Sequence, residues 1–206
     1  HPFLAIPAAM AAGAAAGYVT AFLQTKMRIP SILAGIITNT GLYTVNLAVM
    51  GFSSNVSLLK ADTVFTALKP LLGTYYRLVP AAVLALLAAA VLVLFLRTRL
   101  GLSIRATGDN PDMVRASSIN TAFTVTVGLC ISNALTALSG AILAQYQKTA
   151  DINLGTGMVI IGLASLIIGE TLTRKGSVGL KAFGAVLGSI LYRFIIALAL
   201  RLDLPS

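Results

Sequence analysis

Residues 78–120 read LVPAAVLALLAAAVLVLFL-RTRLGLSIRATGDNPDMVRASSIN. The first nineteen are almost all Ala, Leu and Val, and a helix needs about 20 apolar residues to cross a bilayer core. The following stretch, 97–120, is a long polar island that carries Arg97, Arg99, Arg105 and Arg115, with Asp109 and Asp112 near its middle. Gly108-Asp109-Asn110-Pro111 reads as a turn and then a helix start. Asp109 or Asn110 can cap exposed amides, and Pro111 suits the first helical position. Met113, Val114 and Ile119 then give a short helix over about 110–119 an apolar ridge. Such a helix buries little against its own loop and needs another surface.

Apolar runs lie on either side of the island. The chain is 57% hydrophobic and 10% charged, where soluble domains carry roughly 25% charge. The candidate spans are 3–23, 32–50, 78–96, 121–143, 154–168 and 182–200. An all-α, polytopic transmembrane bundle of about six segments is expected. The segment 154–168 is short and glycine-rich, which leaves a partial crossing or a discontinuous helix open. Residues 61–72 read as a short interfacial helix within a polar connection.

The net charge of +9 does not call for nucleic acid here, because the basic residues sit between apolar runs. If the spans alternate, one side receives Lys26, Arg28, Arg97, Arg99, Arg105, Arg115, Arg174, Lys175 and Lys181. The other receives Lys60, Lys69, Arg77, Lys148 and Arg201. The richer side is expected to be cytoplasmic, so the island faces the cytoplasm, and 52–77 and 145–153 face outward.

Catalytic chemistry is hard to build from these residues. His1 is the one histidine and Cys130 the one cysteine, so neither a Ser/His pair nor a metal cluster is expected, and no cofactor. No phosphate-binding loop ends in Lys-Ser or Lys-Thr. The chain is read as a transport subunit and not an enzyme. Asn39, Thr40, Tyr43, Asn46 and Asn133 are polar positions inside apolar segments. They read either as interhelical hydrogen bonds or as the lining of a pathway for a polar solute. Glu170 and Arg193 are charged at or within the last two segments and are read as a candidate ion pair; snorkelling of Arg193 and anion binding are the alternatives.

Three stretches carry a family resemblance: Ile29–Gly51, IPSILAGIITNTGLYTVNLAVMG; the island Arg97–Asn120; and Gly128–Glu170, with GLCISNALTALSGAILAQYQ followed by DINLGTGMVIIGLASLIIGE. In these the chain resembles the membrane permease subunit of bacterial ABC importers, within the branched-chain amino acid and ribose permease group. It is most similar to permeases that accompany tryptophan/tyrosine-type binding proteins. The resemblance implies a single permease domain over 1–206 in the bacterial inner membrane. Members carry further spans at both ends, so the chain is expected to be the core of a longer subunit. The resemblance also implies that 97–120 is a cytoplasmic coupling loop. Its short helix would dock on a separate ATPase subunit through Gly108, Asp109, Asn110, Met113, Val114, Arg115 and Ala116. It further implies a second permease copy, an extracytoplasmic substrate-binding protein and a small polar solute such as an amino acid. An ion-coupled secondary transporter or channel is the competing reading, as is a subunit that only assembles others.

Overall fold

The computed structural model describes residues 2–59, 61–155, 157–173 and 177–201. Lys60, Arg174 and Lys175, which enter the charge count above, lie outside the described residues. Helices dominate. In order they are α1 (Pro2–Thr25), α2 (Ser31–Val49), α3 (Val64–Leu72), α4 (Leu78–Leu96), α5 (Arg99–Asp109), α6 (Pro111–Ala116), α7 (Thr121–Gln147), α8 (Met158–Leu172) and α9 (Val178–Arg201). Two three-residue strands, β1 (Asn55–Ser57) and β2 (Thr149–Asp151), pair antiparallel with Val56 opposite Ala150. Among the described residues, 6 helical stretches are long and apolar enough to cross a membrane. They coincide with the six runs read from hydropathy, and 78–96 agrees to the residue. Helix α8 has 15 residues, about 22 Å at 1.5 Å per residue, and follows a single 3₁₀ turn at Ile152–Gly155.

The burial pattern is the reverse of a water-soluble core. Large apolar side chains face outward: Val49 is 82% exposed, Ile32 79% and Val159 72%. Most of the buried residues are small or hydroxylated, including Ala21, Ala34, Thr20, Thr38, Thr107, Thr124 and Ser165; Val64, Phe65, Val114 and Gln145 are the larger ones. Lipid tails are as apolar as leucine, so helices in a bilayer gain nothing by hiding leucine from them. Close van der Waals packing and interhelical hydrogen bonds decide which surfaces meet.

The chain divides into two compact units, one up to Ile152 and one from Asn153. In the first, α1 lies against α7 at backbone distance. A Cβ on Gly13 would sit 2.5 Å from Ala137 Cβ and 2.6 Å from the Asn133 carbonyl oxygen; one on Gly17 would sit 2.5 Å from the Leu129 carbonyl oxygen. Four-residue spacing puts both glycines on one stripe of α1. Helix α2 joins this pair through its first half, where Thr20 Oγ1 donates to Thr38 Oγ1 at 3.0 Å.

The two ends of α7 gather different material. Its first turns meet α5 and α6. Its last turn meets β2 and the start of α3: Val64 N–H donates to Gln145 Oε1 at 2.9 Å, and Phe65 packs edge-on to Tyr146 with ring centroids 5.8 Å apart. Thr63 caps α3 reciprocally with Thr66, so the helix starts at Val64 and not at 61 as composition suggested. The Arg77 guanidinium lies 5.8 Å from the Tyr146 ring centroid.

In the second unit α8 and α9 run antiparallel through a glycine seam. Gly169 meets the Gly184 carbonyl, and Gly188 meets that of Ser165.

Leucine at Gly13 or Gly17 is expected to destabilise the first unit by about 1–3 kcal/mol, the range for overpacking. Alanine at Gly140 on α7, where a Cβ meets nothing within 4 Å, is expected to be neutral. Thermal unfolding of the purified membrane protein, followed by aggregation, checks the contrast.

Candidate functional site

The polar island is two helices and not one. Helix α4 ends at Leu96, and Thr98 caps the next helix by accepting from the Gly101 N–H at 3.2 Å. Gly101 sits against the Phe95 carbonyl and the Leu96 backbone, so no side chain fits there and the bend stays tight. Helix α5 then runs for 11 residues to Asp109. The reading above missed it; Thr98 as a cap, followed by Leu100 and Ile104 at four-residue spacing, was the available sign.

Asn110 closes α5 and opens α6. Its backbone is extended (φ −154°, ψ 96°), its N–H donates to the Ala106 carbonyl, and its Oδ1 accepts from the Met113 N–H at 3.1 Å. Of the two caps considered, Asn110 is the one used. Pro111 takes the first helical position, where its missing N–H costs nothing. The helix stops at Ala116, so Ile119 lies beyond it. Ser118 turns the chain in the left-handed region (φ 60°). Asn120 Oδ1 then accepts from Ala122 N–H (3.0 Å) and Phe123 N–H (3.2 Å) and starts α7.

Three side chains fix this corner to α7. Thr107 and Thr124 hydroxyls lie 2.9 Å apart, both nearly buried. Arg115 Nε donates to Thr121 Oγ1 at 3.1 Å. Val114 is 2% exposed. That last point corrects the expected ridge: Met113 and Val114 do not face outward together. Met113 is 60% exposed, whereas Val114 points back and anchors the helix. Residues 108–110, 115 and 116 are exposed. Arg115 Nη1 also lies 3.5 Å from Asp112 Oδ1, but both side chains are largely in solvent, so the pair contributes little.

The polar positions on the spans separate into two groups. Asn133 is half-buried beside α1, and its Nδ2 donates to the Leu129 carbonyl at 2.9 Å. Thr40 donates to the Ile36 carbonyl at 3.0 Å, an intrahelical bond. Asn39, Tyr43 and Asn46 share one face of α2 by their spacing, and all three are exposed. None of these three side chains makes a hydrogen bond within the described residues.

Glu170 and Arg193 do not form the expected ion pair. The glycine seam sets the register of α8 on α9, with Gly188 at Ser165 and Gly184 at Gly169. Arg193 is therefore level with about residue 160, some 15 Å along the axis from Glu170. Both side chains are exposed. Packing of small residues fixes this register, and the charges take the positions it leaves them.

Six helical stretches among the described residues are long and apolar enough to cross a membrane, which makes this a multi-pass helical membrane protein. The family described as "Branched-chain amino acid transport system / permease component" matches residues 1–202, and the chain belongs to it. It is thus a permease subunit of an ABC importer, in the bacterial cell membrane. It is 36% identical over 205 residues to a tyrosine transport system permease protein of Clostridioides difficile, covering 100% of this chain and 67% of that protein. It is 31% identical over 206 residues to an uncharacterised protein of Rickettsia prowazekii, covering 98% and 72%. A ribose import permease protein of Haemophilus influenzae is 24% identical over 214 residues, covering 99% and 62%. No solved structure matches the chain significantly.

Replacing Asn110 with alanine is expected to free the Met113 amide and loosen α6 by about 1 kcal/mol. Asn110→Asp is expected to keep the cap. Hydrogen exchange over residues 108–118 reads the difference directly.

Proposed function

We propose that residues 1–206 act as one permease domain and that α6 is its docking element for a separate ATPase subunit. One observation carries this reading. A capped six-residue helix holds Met113 out at 60% exposure while Val114, its neighbour, is buried at its back. An exposed apolar knob on a short helix has high affinity for a groove, and a buried anchor lets a push on the knob move more than a loop. Gly108, Asp109, Asn110, Arg115 and Ala116 surround Met113 and form the rest of the contact.

The orientation supports it. The α1–α2 turn at 25–31 and the 98–121 corner share one side of the first unit, lining a common cleft. Leaving out the basic residues that are not described, the balance still favours that side, and basic excess marks the cytoplasm. The ATPase chain supplies the hydrolysis, and the permease contributes the path. Movement of α6 passes to α7 through Val114 and the Arg115–Thr121 bond, while the Thr107–Thr124 pair ties the adjoining α5 to α7.

The path itself is assigned to the exposed polar face of α2. Asn39, Tyr43 and Asn46 without internal partners are costly against lipid, so that face is covered by a second permease copy or by water. Thr40 and Asn133 already have intrahelical partners and are weaker lining candidates. An extracytoplasmic binding protein delivers solute to the outward end, formed by β1, β2 and α3. A relative named for tyrosine transport supports an amino acid as that solute.

Co-purification of the permease with its ATPase, comparing wild type with Met113→Asp, tests the docking role. A charge at a central apolar contact is expected to weaken binding about thirtyfold, equivalent to ~2 kcal/mol. Arg105→Gln, an exposed change on α5, is expected to leave the complex intact. An undiminished complex with Met113→Asp would place docking elsewhere.

A further inference from the structure

At the end of the first unit where α1 turns into α2, an open cleft of about 1170 Å³ lies between that turn, α5, α6 and the start of α7. One wall is polar and includes Gln24, Thr25, Arg28 and Ser31. Arg115 reaches it from α6. Ile104, Val125 and Leu129 add apolar surface. The lining contains two arginines and no carboxylate. Asp112, the partner of Arg115 Nη1, is 87% exposed and outside the lining. Arg28 has no ion pair among the described residues.

Arg28 is also held in an uncommon conformation. Its φ is 55°, in the left-handed region that a non-glycine residue seldom occupies. The reversal is fixed on both sides, by Met27 N–H to the Phe22 carbonyl (3.4 Å) and Ile29 N–H to the Leu23 carbonyl (3.2 Å). Glycine would adopt this turn without strain, yet arginine stands there, which points to a use for its side chain.

We propose that this cleft binds the phosphate group of an anionic phospholipid from the inner leaflet, with Arg28 and Arg115 as its two cations. The phosphate sits between the guanidinium groups, and Gln24 and Ser31 donate to its remaining oxygens. The first methylenes of an acyl chain lie against Ile104, Val125 and Leu129. Basic pockets between helices at the cytoplasmic headgroup level attract anionic lipids in this way. A free phosphate ion would fill a small part of the volume and leave the apolar wall against water. A lipid uses both walls. The inference rests on the orientation given above but not on α6 docking an ATPase.

The test uses the permease in nanodiscs of phosphatidylcholine doped with phosphatidylglycerol, with native mass spectrometry counting the lipids kept after release. Arg28→Gly is the first variant, because glycine accepts the φ of this turn. Retention of phosphatidylglycerol over phosphatidylcholine is expected to fall about fivefold with Arg28→Gly, and about as much again when Arg115→Gln is added. Arg105→Gln removes a charge from the same island outside the lining and is expected to change nothing. Arg28→Asn, which also tolerates the left-handed region, repeats the reading if glycine loosens the turn. Equal retention in all variants, or no preference for phosphatidylglycerol, would overturn the proposal. Displacement of the lipid by millimolar inorganic phosphate would also overturn it, since the ligand would then be a soluble anion.

Discussion

The backbone contact between α1 and α7 at Gly13 and Gly17 is the constraint on which the first unit depends. In lipid there is no hydrophobic force to press helices together, so association needs surfaces that come very close. Two glycines one turn apart provide such a surface, and the Leu129 and Asn133 carbonyls fill it. Once α7 is set against α1, its inner turns are in place to receive Thr107, Val114 and Arg115. Its outer turn is equally in place to receive Val64 and Phe65. Helix α7 has 27 residues, about 40 Å, which exceeds the thickness of a hydrocarbon core. It therefore links a helical corner on one side with a strand pair and a capped helix on the other.

This geometry explains how a small element can have consequences at a distance. A loop that yields would absorb any force applied to Met113. The corner here yields little, because caps fix its two turns and buried groups hold its back. Asn110 serves two helices at once, and Asn120 begins the third. The Thr107–Thr124 hydroxyl pair lies between residues 17 positions apart and ties α5 to α7 without a charge. In the proposed function these contacts carry motion from an ATPase to the spans. The cationic cleft lies beside the same corner, so a bound anionic lipid would hold the α1–α2 turn and α6 in a defined relation.

The spans were legible because hydropathy alone decides whether a run of residues can sit in lipid, and 78–96 needed no further information. The Asn110–Pro111 start was legible for a local reason: capping geometry and the missing proline N–H act within one turn. Helix α5 was not, since Gly101, Gly108, Ser103 and Thr107 have weak helix propensity and its stability comes from α7. The inward turn of Val114 was hidden too. In a six-residue helix two adjacent apolar residues give no periodicity to say which one faces the protein. Glu170 and Arg193 invited pairing because both are costly in lipid. The register that separates them is set by Gly169, Gly184 and Gly188, whose importance shows only once two helices are placed together. Family membership was legible for a different reason, since the three quoted stretches resemble one group of permeases.

The central claim is that Met113 enters a groove on an ATPase subunit. The most direct measurement is site-specific cross-linking from Met113→Cys in a Cys130→Ser background, with the permease and its ATPase reconstituted together. The account predicts one dominant cross-linked product between the two subunits, with a yield that changes between nucleotide-free and ATP-bound states, and little product from a cysteine at the buried Val114. Cross-linking of position 113 to lipid alone, or equal yields from positions 113 and 114, would contradict it.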